Sequence, residues 1–175
     1  MGISDELYAL YKDNDLRKSY FVKYSESGGY VEYVKGGAVA DFSRTSLSAN
    51  FLFRTAEAYL NLAEATAYQG KEDDARKALN DLRVKRLATG QYTNSEESGA
   101  DLIELIREER ERELCLEGHR WFDLTRMCTP QEFVSIIKAA KPESTPKEYH
   151  VKFPIPQREI DLSQNTITQN EGYGQ

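Results

Sequence analysis

The side chains best suited to chemistry cluster between positions 107 and 126, which read Arg-Glu-Glu-Arg-Glu-Arg-Glu-Leu-Cys-Leu-Glu-Gly-His-Arg-Trp-Phe-Asp-Leu-Thr-Arg. Glu109 and Glu113, four residues apart, would put two carboxylates on one side of a helix, the residue types that cleave a glycosidic bond when one acid protonates the leaving oxygen. That work needs surroundings that drive the two pKa values apart, and nothing nearby in the sequence does so. Acids at this spacing are also what any charged helix shows, so no catalytic residue is expected. At 100° per residue, Ile103, Ile106, Arg110, Leu114 and Glu117 share one stripe, with Glu113 at its edge. Opposite charges therefore lie on an apolar face. Since either alone would cost several kcal/mol to bury, Arg110 is expected to pair with Glu113 or Glu117, or with chain folding over them. The Glu108 to Arg112 pair is expected on the outer face, worth a few tenths of a kcal/mol. Beyond Gly118, Trp121, Phe122 and Leu124 supply apolar bulk beside Arg120 and Asp123, and Asp123 is placed to receive Arg120 or to cap backbone amides. The expectation is a structural charge cluster of Arg110, Glu113, Glu117, Arg120 and Asp123.

Other constellations are weaker. His119 and His150 lack partners at ligand spacing, so no zinc site is expected. Asp13-Asn-Asp15 opens like a calcium loop but has Lys18 where Gly belongs and Tyr24 where the closing Glu belongs. No glycine-rich phosphate loop and no nucleophile elbow occurs, and no cofactor is expected. Cys115 reads as a small core residue. Tyr30 and Tyr33, in a Gly-bounded loop, are the candidates for stacking on a sugar face, with packing within their own hairpin the stronger reading.

The chain has 175 residues, 29 acids against 23 bases and a net charge of −6, which repels phosphate backbones and argues against nucleic-acid binding. Hydrophobic residues are 39% and charged residues 30%, and the aromatics, dominated by 11 Tyr and 7 Phe, are too many for a disordered chain. No run approaches the ~18 apolar residues of a membrane span. Two cysteines, Cys115 and Cys128, build no disulfide framework.

The elements that must position these residues fall into residues 1–47 and 48–175. Ser4 is placed to cap a short helix through Tyr11, stopped by Asp13-Asn-Asp15. Runs 17–24 and 30–35, joined by Ser25-Glu-Ser-Gly-Gly29, read as a hairpin with a long turn, or as an irregular loop packed on something larger. From Ser48 the period is helical: Leu52, Ala56, Tyr59, Ala63 and Ala67 form an alanine-rich stripe. Gly70 ends that helix, and a second, carrying Ala75, Ala78, Leu79 and Leu82, lies back on it and ends near Gly90. A third runs from about Ala100 to Glu117, with Gly118 in the left-handed position. A short helix over 119–127 and another over 131–140, opened by Thr129-Pro130, precede a tail in which Pro154 and Pro156 enforce an extended path before a turn at 158–162. The tail is expected to cross a surface made by the helices.

The order Leu62, Ala63, Gly70, Ala75, Leu79 follows the tetratricopeptide pattern, with Thr66 where an aromatic is usual. The plain alternative is an ordinary α-hairpin. One such unit cannot bury both its faces, which calls for neighbours. The succession Arg54-Thr-Ala-Glu-Ala-Tyr-Leu-Asn-Leu-Ala-Glu-Ala65, Ala78-Leu-Asn-Asp-Leu-Arg83, Glu109-Arg-Glu-Arg-Glu-Leu114, Glu117-Gly-His-Arg-Trp-Phe-Asp-Leu124, Phe153-Pro-Ile-Pro-Gln-Arg-Glu-Ile160 and Thr168-Gln-Asn-Glu-Gly-Tyr173 resembles the C-terminal part of the SusD/RagB family.

The resemblance implies an all-α fold of tetratricopeptide-like helix pairs with irregular loops and an extended tail. It also implies a surface-exposed, non-enzymatic lipoprotein of the Bacteroidetes outer membrane. Such a protein binds an oligo- or polysaccharide and sits on a SusC-like TonB-dependent transporter. Family members are longer, so the chain is expected to be a C-terminal fragment, touching the membrane only through a lipid anchor on the preceding part. Gln164-Asn165-Thr166 replaces the family's usual Asn-Pro, and Glu171 stands where Pro often precedes Gly-Tyr. No family binding residue maps onto a matching position. The competing reading is a tetratricopeptide-like adaptor holding a peptide in its concave surface. The Trp-containing junction and Pro-punctuated tail argue against it.

Overall fold

The structure is a computed structural model that describes residues 3–25, 28–32, 53–164 and 166–174, with backbone alone over 22–32. It is all-α apart from one small hairpin, and the chain divides into two compact units, Met1–His119 and Arg120–Gln175. The boundary read from the sequence, between residues 47 and 48, lies outside the described residues.

The first unit opens with α1 (Asp5–Ala9), where Ser4 Oγ accepts from the Leu7 amide at 3.3 Å and Asp5 and Glu6 complement the positive helix end. A 3₁₀ turn over Leu16–Tyr20 follows, capped by Asp15. Then come β1 (Phe21–Ser25) and β2 (Gly28–Glu32), antiparallel, with Phe21 opposite Glu32 and Ser25 opposite Gly28. The hairpin is present, but the register corrects the extent of its turn: Gly28 and Gly29 are strand residues.

Three longer helices form the body of this unit: α2 (Thr55–Tyr68), α3 (Glu72–Arg83) and α4 (Gly99–Glu113). α2 buries Ala56, Leu60, Ala63 and Thr66 against Ala75, Ala78, Leu79 and Leu82 of α3 and Leu102 and Ile106 of α4. Tyr59, assigned to that stripe from the sequence, is instead 36% exposed while Leu60 is fully buried. Leu60 lies four residues after Ala56 and three before Ala63, and so shares their face. Leu52 lies outside the described residues. The buried Thr66 hydroxyl donates back to the Leu62 carbonyl at 2.7 Å, which satisfies it without a partner on another helix. Gly70, at φ 72°, makes the left-handed turn between α2 and α3.

Two helix ends fall earlier than their periodicity suggests. α3 stops at Arg83 rather than near Gly90, because the following residues pair with the N-terminal segment. Leu16 donates to the Arg86 carbonyl at 2.9 Å, Ala88 donates to the Asn14 carbonyl at 2.8 Å, and Asp15 forms a β-bridge with Leu87. That pairing needs extended backbone. α4 stops at Glu113 rather than Glu117, since Leu116 takes φ 60° and Gly118 φ 81°, the latter as its position predicted. Under the hairpin, Ile3, Tyr11, Phe21 and Cys115 make a second small core, with the Tyr11 hydroxyl donating to the Arg112 carbonyl at 2.7 Å.

The second unit contains α5 (Arg120–Met127), α6 (Pro130–Ala140), a 3₁₀ turn over Glu148–Val151 and α7 (Gln157–Leu162). Thr129 and Glu132 close a capping box on α6: the Thr129 amide donates to Glu132 Oε2 at 2.7 Å and the Glu132 amide to Thr129 Oγ1 at 3.3 Å. The tail fastens on the extended segment before α7. Gln169 Oε1 accepts from the Ile155 amide and its Nε2 donates to the Ile155 carbonyl, both at 2.7 Å, while Asn170 Nδ2 donates to the Phe153 carbonyl at 2.7 Å. No helix among the described residues is long and apolar enough to cross a membrane.

Candidate functional site

The charged residues of α4 are buried. Glu109 and Glu113 are 1% and 3% exposed, and three arginines distant in sequence converge on them. Arg17 reaches Glu109 Oε1 at 2.8 Å and Glu113 Oε2 at 2.6 Å through one nitrogen, Nη1, while its other guanidinium nitrogens fork onto Asp15 at 2.9 and 2.7 Å. Arg86 grips both oxygens of Glu113 at 2.8 Å. Arg54 contacts Glu113 Oε1 at 2.5 Å and the Glu113 carbonyl, and its Nε and Nη2 fork onto Glu117 at 2.8 Å. Arg112 binds Glu109 Oε2 from within the helix, at 2.9 Å.

Burial by itself would raise both carboxyls. For Glu113, hydrogen bonds from Arg86 and Arg54 and the charge of Arg17 outweigh it, holding the group down at about 2. For Glu109, the charges of Arg17 and Arg112 win in the same way and lower it. Burial likewise works against the charged Arg17, and Asp15, Glu109 and Glu113 more than restore it. Both acids are therefore held as anions with their lone pairs directed at guanidinium donors. A general acid must hold a proton near neutral pH, so this pair has the wrong electrostatics for glycosidic proton donation. What the arrangement does is tie residues 15–17, 54 and 86 to α4.

Of the residues expected in a charge cluster, Arg110 is 5% exposed and donates to Asn61 Oδ1 at 2.8 Å. Glu113 and Glu117 receive the arginines just described. Arg120 and Asp123 lie on α5 of the second unit, where the buried Asp123 accepts from Arg126 Nη2 at 2.9 Å. Arg112, expected on an outer face with Glu108, is only 7% exposed, because the N-terminal segment covers it; its bond to Glu108 at 3.3 Å persists beside the shorter one to Glu109. Arg17 and Arg86 went unrecognised in the sequence as partners, since they stand 96 and 27 residues from Glu113 and no local pattern links them. Tyr33 lies outside the described residues, as does the side chain of Tyr30, whose backbone pairs with Lys23 in the hairpin.

The second unit carries an open pocket of about 410 Å³ lined by Trp121, Phe133, Thr145, His150, Phe153 and Tyr173. Trp121, the sole tryptophan, meets the edge of Phe133 at 5.1 Å and stacks on Phe153 at 5.3 Å with 25° between the planes. Phe153 stays 60% exposed even with one face against Trp121, so its opposite face is turned to solvent. The tail sets this geometry: Asn170 holds the Phe153 carbonyl, and the Tyr173 hydroxyl donates to the Lys152 carbonyl at 2.8 Å. Gly172, at φ 89°, lies against the Tyr149 ring so closely that a Cβ would collide with it, which places Tyr173 beside Tyr149 and His150. No group of three or more metal-ligating side chains occurs among the described residues.

Comparison with known proteins agrees with this architecture. The chain is 39% identical over 125 residues to the starch-binding protein SusD of Bacteroides thetaiotaomicron, covering 70% of this chain and 21% of that protein. It is 32% identical over 117 residues to the SusD-like protein P25 of Formosa agariphila, covering 64% and 22%. The chain thus spans about a fifth of the length of these curated relatives. A crystal structure described as a putative sugar binding protein from Bacteroides vulgatus superposes over 99% of this chain and 39% of its own, with TM-score 0.71 and 25% identity. The SusD family model matches residues 22–173, and on that match the chain belongs to the SusD family.

Proposed function

We propose that this protein is a non-catalytic glycan-binding component of a SusC/SusD-type outer-membrane uptake system. The observation that carries the reading is membership of the SusD family, with 39% identity to a starch-binding protein. The electrostatics of α4 support the non-catalytic half: the only acid pair that invited a hydrolytic reading is clamped in its ionised form by arginines from three other segments. In this reading the family's helical scaffold displays a saccharide-binding surface, and a SusC-like TonB-dependent transporter takes up what is bound. The protein's place is the outer membrane, facing outward.

A glycan array probed with the full chain tests the binding half, and affinity capture with the same chain from detergent-solubilised outer membranes tests the partner. Retention on neutral glucans together with recovery of a TonB-dependent transporter is the expected result. Silence on every glycan, with recovery of soluble peptides alone, would favour an adaptor instead.

A further inference from the structure

We propose that the pocket over Trp121 and Phe153 is a saccharide subsite that takes one pyranose ring of a neutral oligosaccharide. The proposal rests on the glycan-binding reading above and assigns a place to it in the second unit.

The pocket joins the two chemistries that a sugar ring requires. A pyranose offers an apolar face of C–H groups and a rim of hydroxyls, so its site needs a flat aromatic surface beside hydrogen-bonding groups free to meet that rim. Phe153 supplies the surface, since its outward face is uncovered and its inward face is braced by Trp121. Burying Phe133 completely beneath the indole keeps that support rigid.

Four polar groups around it keep hydrogen-bonding capacity that no partner among the described residues takes up. The Trp121 indole N–H reaches solvent and donates to no acceptor among the described residues. His150 Nδ1 accepts from the Lys147 amide at 3.1 Å, so the neutral ring carries its proton on Nε2, which has no partner among the described residues. Thr145 is exposed at the rim, with no bond to its hydroxyl among the described residues. Ser144 donates its own hydroxyl proton to the Lys141 carbonyl at 2.7 Å and keeps lone pairs to accept with. Two ring donors and two hydroxyls thus surround an aromatic floor.

Charge narrows the ligand. No Asp, Glu, Lys or Arg side chain lines the pocket. A uronic or sialic acid would leave its carboxylate without a cationic partner, whereas a neutral hexose or pentose leaves nothing unpaired. A volume of about 410 Å³ lies at the small end of ligand pockets, which suits one ring of a longer chain whose neighbours project into solvent.

Because Trp121 is the only tryptophan, its emission reports on this pocket alone. The full chain is titrated with maltohexaose, cellohexaose and xylohexaose in parallel by calorimetry and by tryptophan fluorescence. The expected result is saturable heat with at least one of the three, a shift in Trp121 emission along the same isotherm, and protection of Trp121 from acrylamide quenching. Phe153→Ala should weaken binding about tenfold and Thr145→Val a few-fold. Both residues are exposed, so circular dichroism should show an intact fold. Phe122→Ala, an exposed ring on the same helix outside the pocket, should leave the affinity unchanged. Heat of binding with Trp121 emission unmoved and Phe153→Ala silent would overturn the subsite while leaving glycan binding in place. No heat with any of the three sugars, at concentrations where the fold is intact, would overturn both.

Discussion

Glu113 accepts from Arg17, Arg54 and Arg86 at once, and each guanidinium arrives from a different stretch of chain. Replacing it by Gln keeps the shape and removes the charge, leaving three partly or fully buried cations facing a neutral amide. By the usual cost of breaking a buried ion pair, Glu113→Gln should destabilise the chain by about 3–5 kcal/mol in urea unfolding. Arg86→Ala, which leaves Arg17 and Arg54 on Glu113, should cost clearly less. The same residue makes stability depend on pH. Its carboxyl sits near 2 in the folded chain and about 4.5 when unpaired, so the unfolded chain takes up the proton first as the solution is acidified. The stabilisation is complete above about pH 4.5 and drains away as pH falls toward 2, amounting to about 3 kcal/mol from this group, with Glu109 adding in the same direction. Midpoints of urea unfolding between pH 7 and pH 2.5 check this. A wild-type midpoint that is flat across that range, or a Glu113→Gln variant that keeps the wild-type's acid sensitivity, would contradict it. The sequence announced that charge shared an apolar face of α4, because periodicity is local. It did not announce which arginines came to meet it, because the partners' spacing is set by how the chain folds back and leaves no local trace.

Helices were legible in proportion to how much of their burial is periodic. In α3 every residue expected in the core is buried, and the Thr129 cap and Pro130 opening of α6 stand where their types require. In α2 the period was right and one member wrong, Tyr59 for Leu60, since two adjacent residues near the edge of a stripe cannot be ranked without knowing where the partner helix lies. That difference is measurable: Leu60→Ala should cost about 2–5 kcal/mol, by transfer and cavity together, and Tyr59→Ala less than about 1 kcal/mol. Comparable losses for the two would contradict the packing described. The early ends of α3 and α4 were hidden for a different reason. Residues 86–88 leave the helix to pair with residues 14–16, and Leu116 adopts a left-handed conformation that its type does not favour. Tail residues Gln169 and Asn170 read as ordinary polar side chains, yet their amides replace a β-strand partner for Ile155 and Phe153 and so hold the aromatic stack in place.

At the scale of the molecule, the two compact units divide the labour. The first invests its charged residues in a network that binds distant segments to α4 and holds Glu109 and Glu113 as anions. The second presents aromatic rings with uncommitted donors around a small pocket. The function proposed above joins these features into one account, in which the protein would hold a glycan without changing it. The most direct test incubates the full chain with maltohexaose, measures the heat of binding, then recovers the sugar and examines its length. The account predicts saturable binding with every recovered molecule still a hexasaccharide. Shortened products whose formation stops in Glu109→Gln or Glu113→Gln would contradict it.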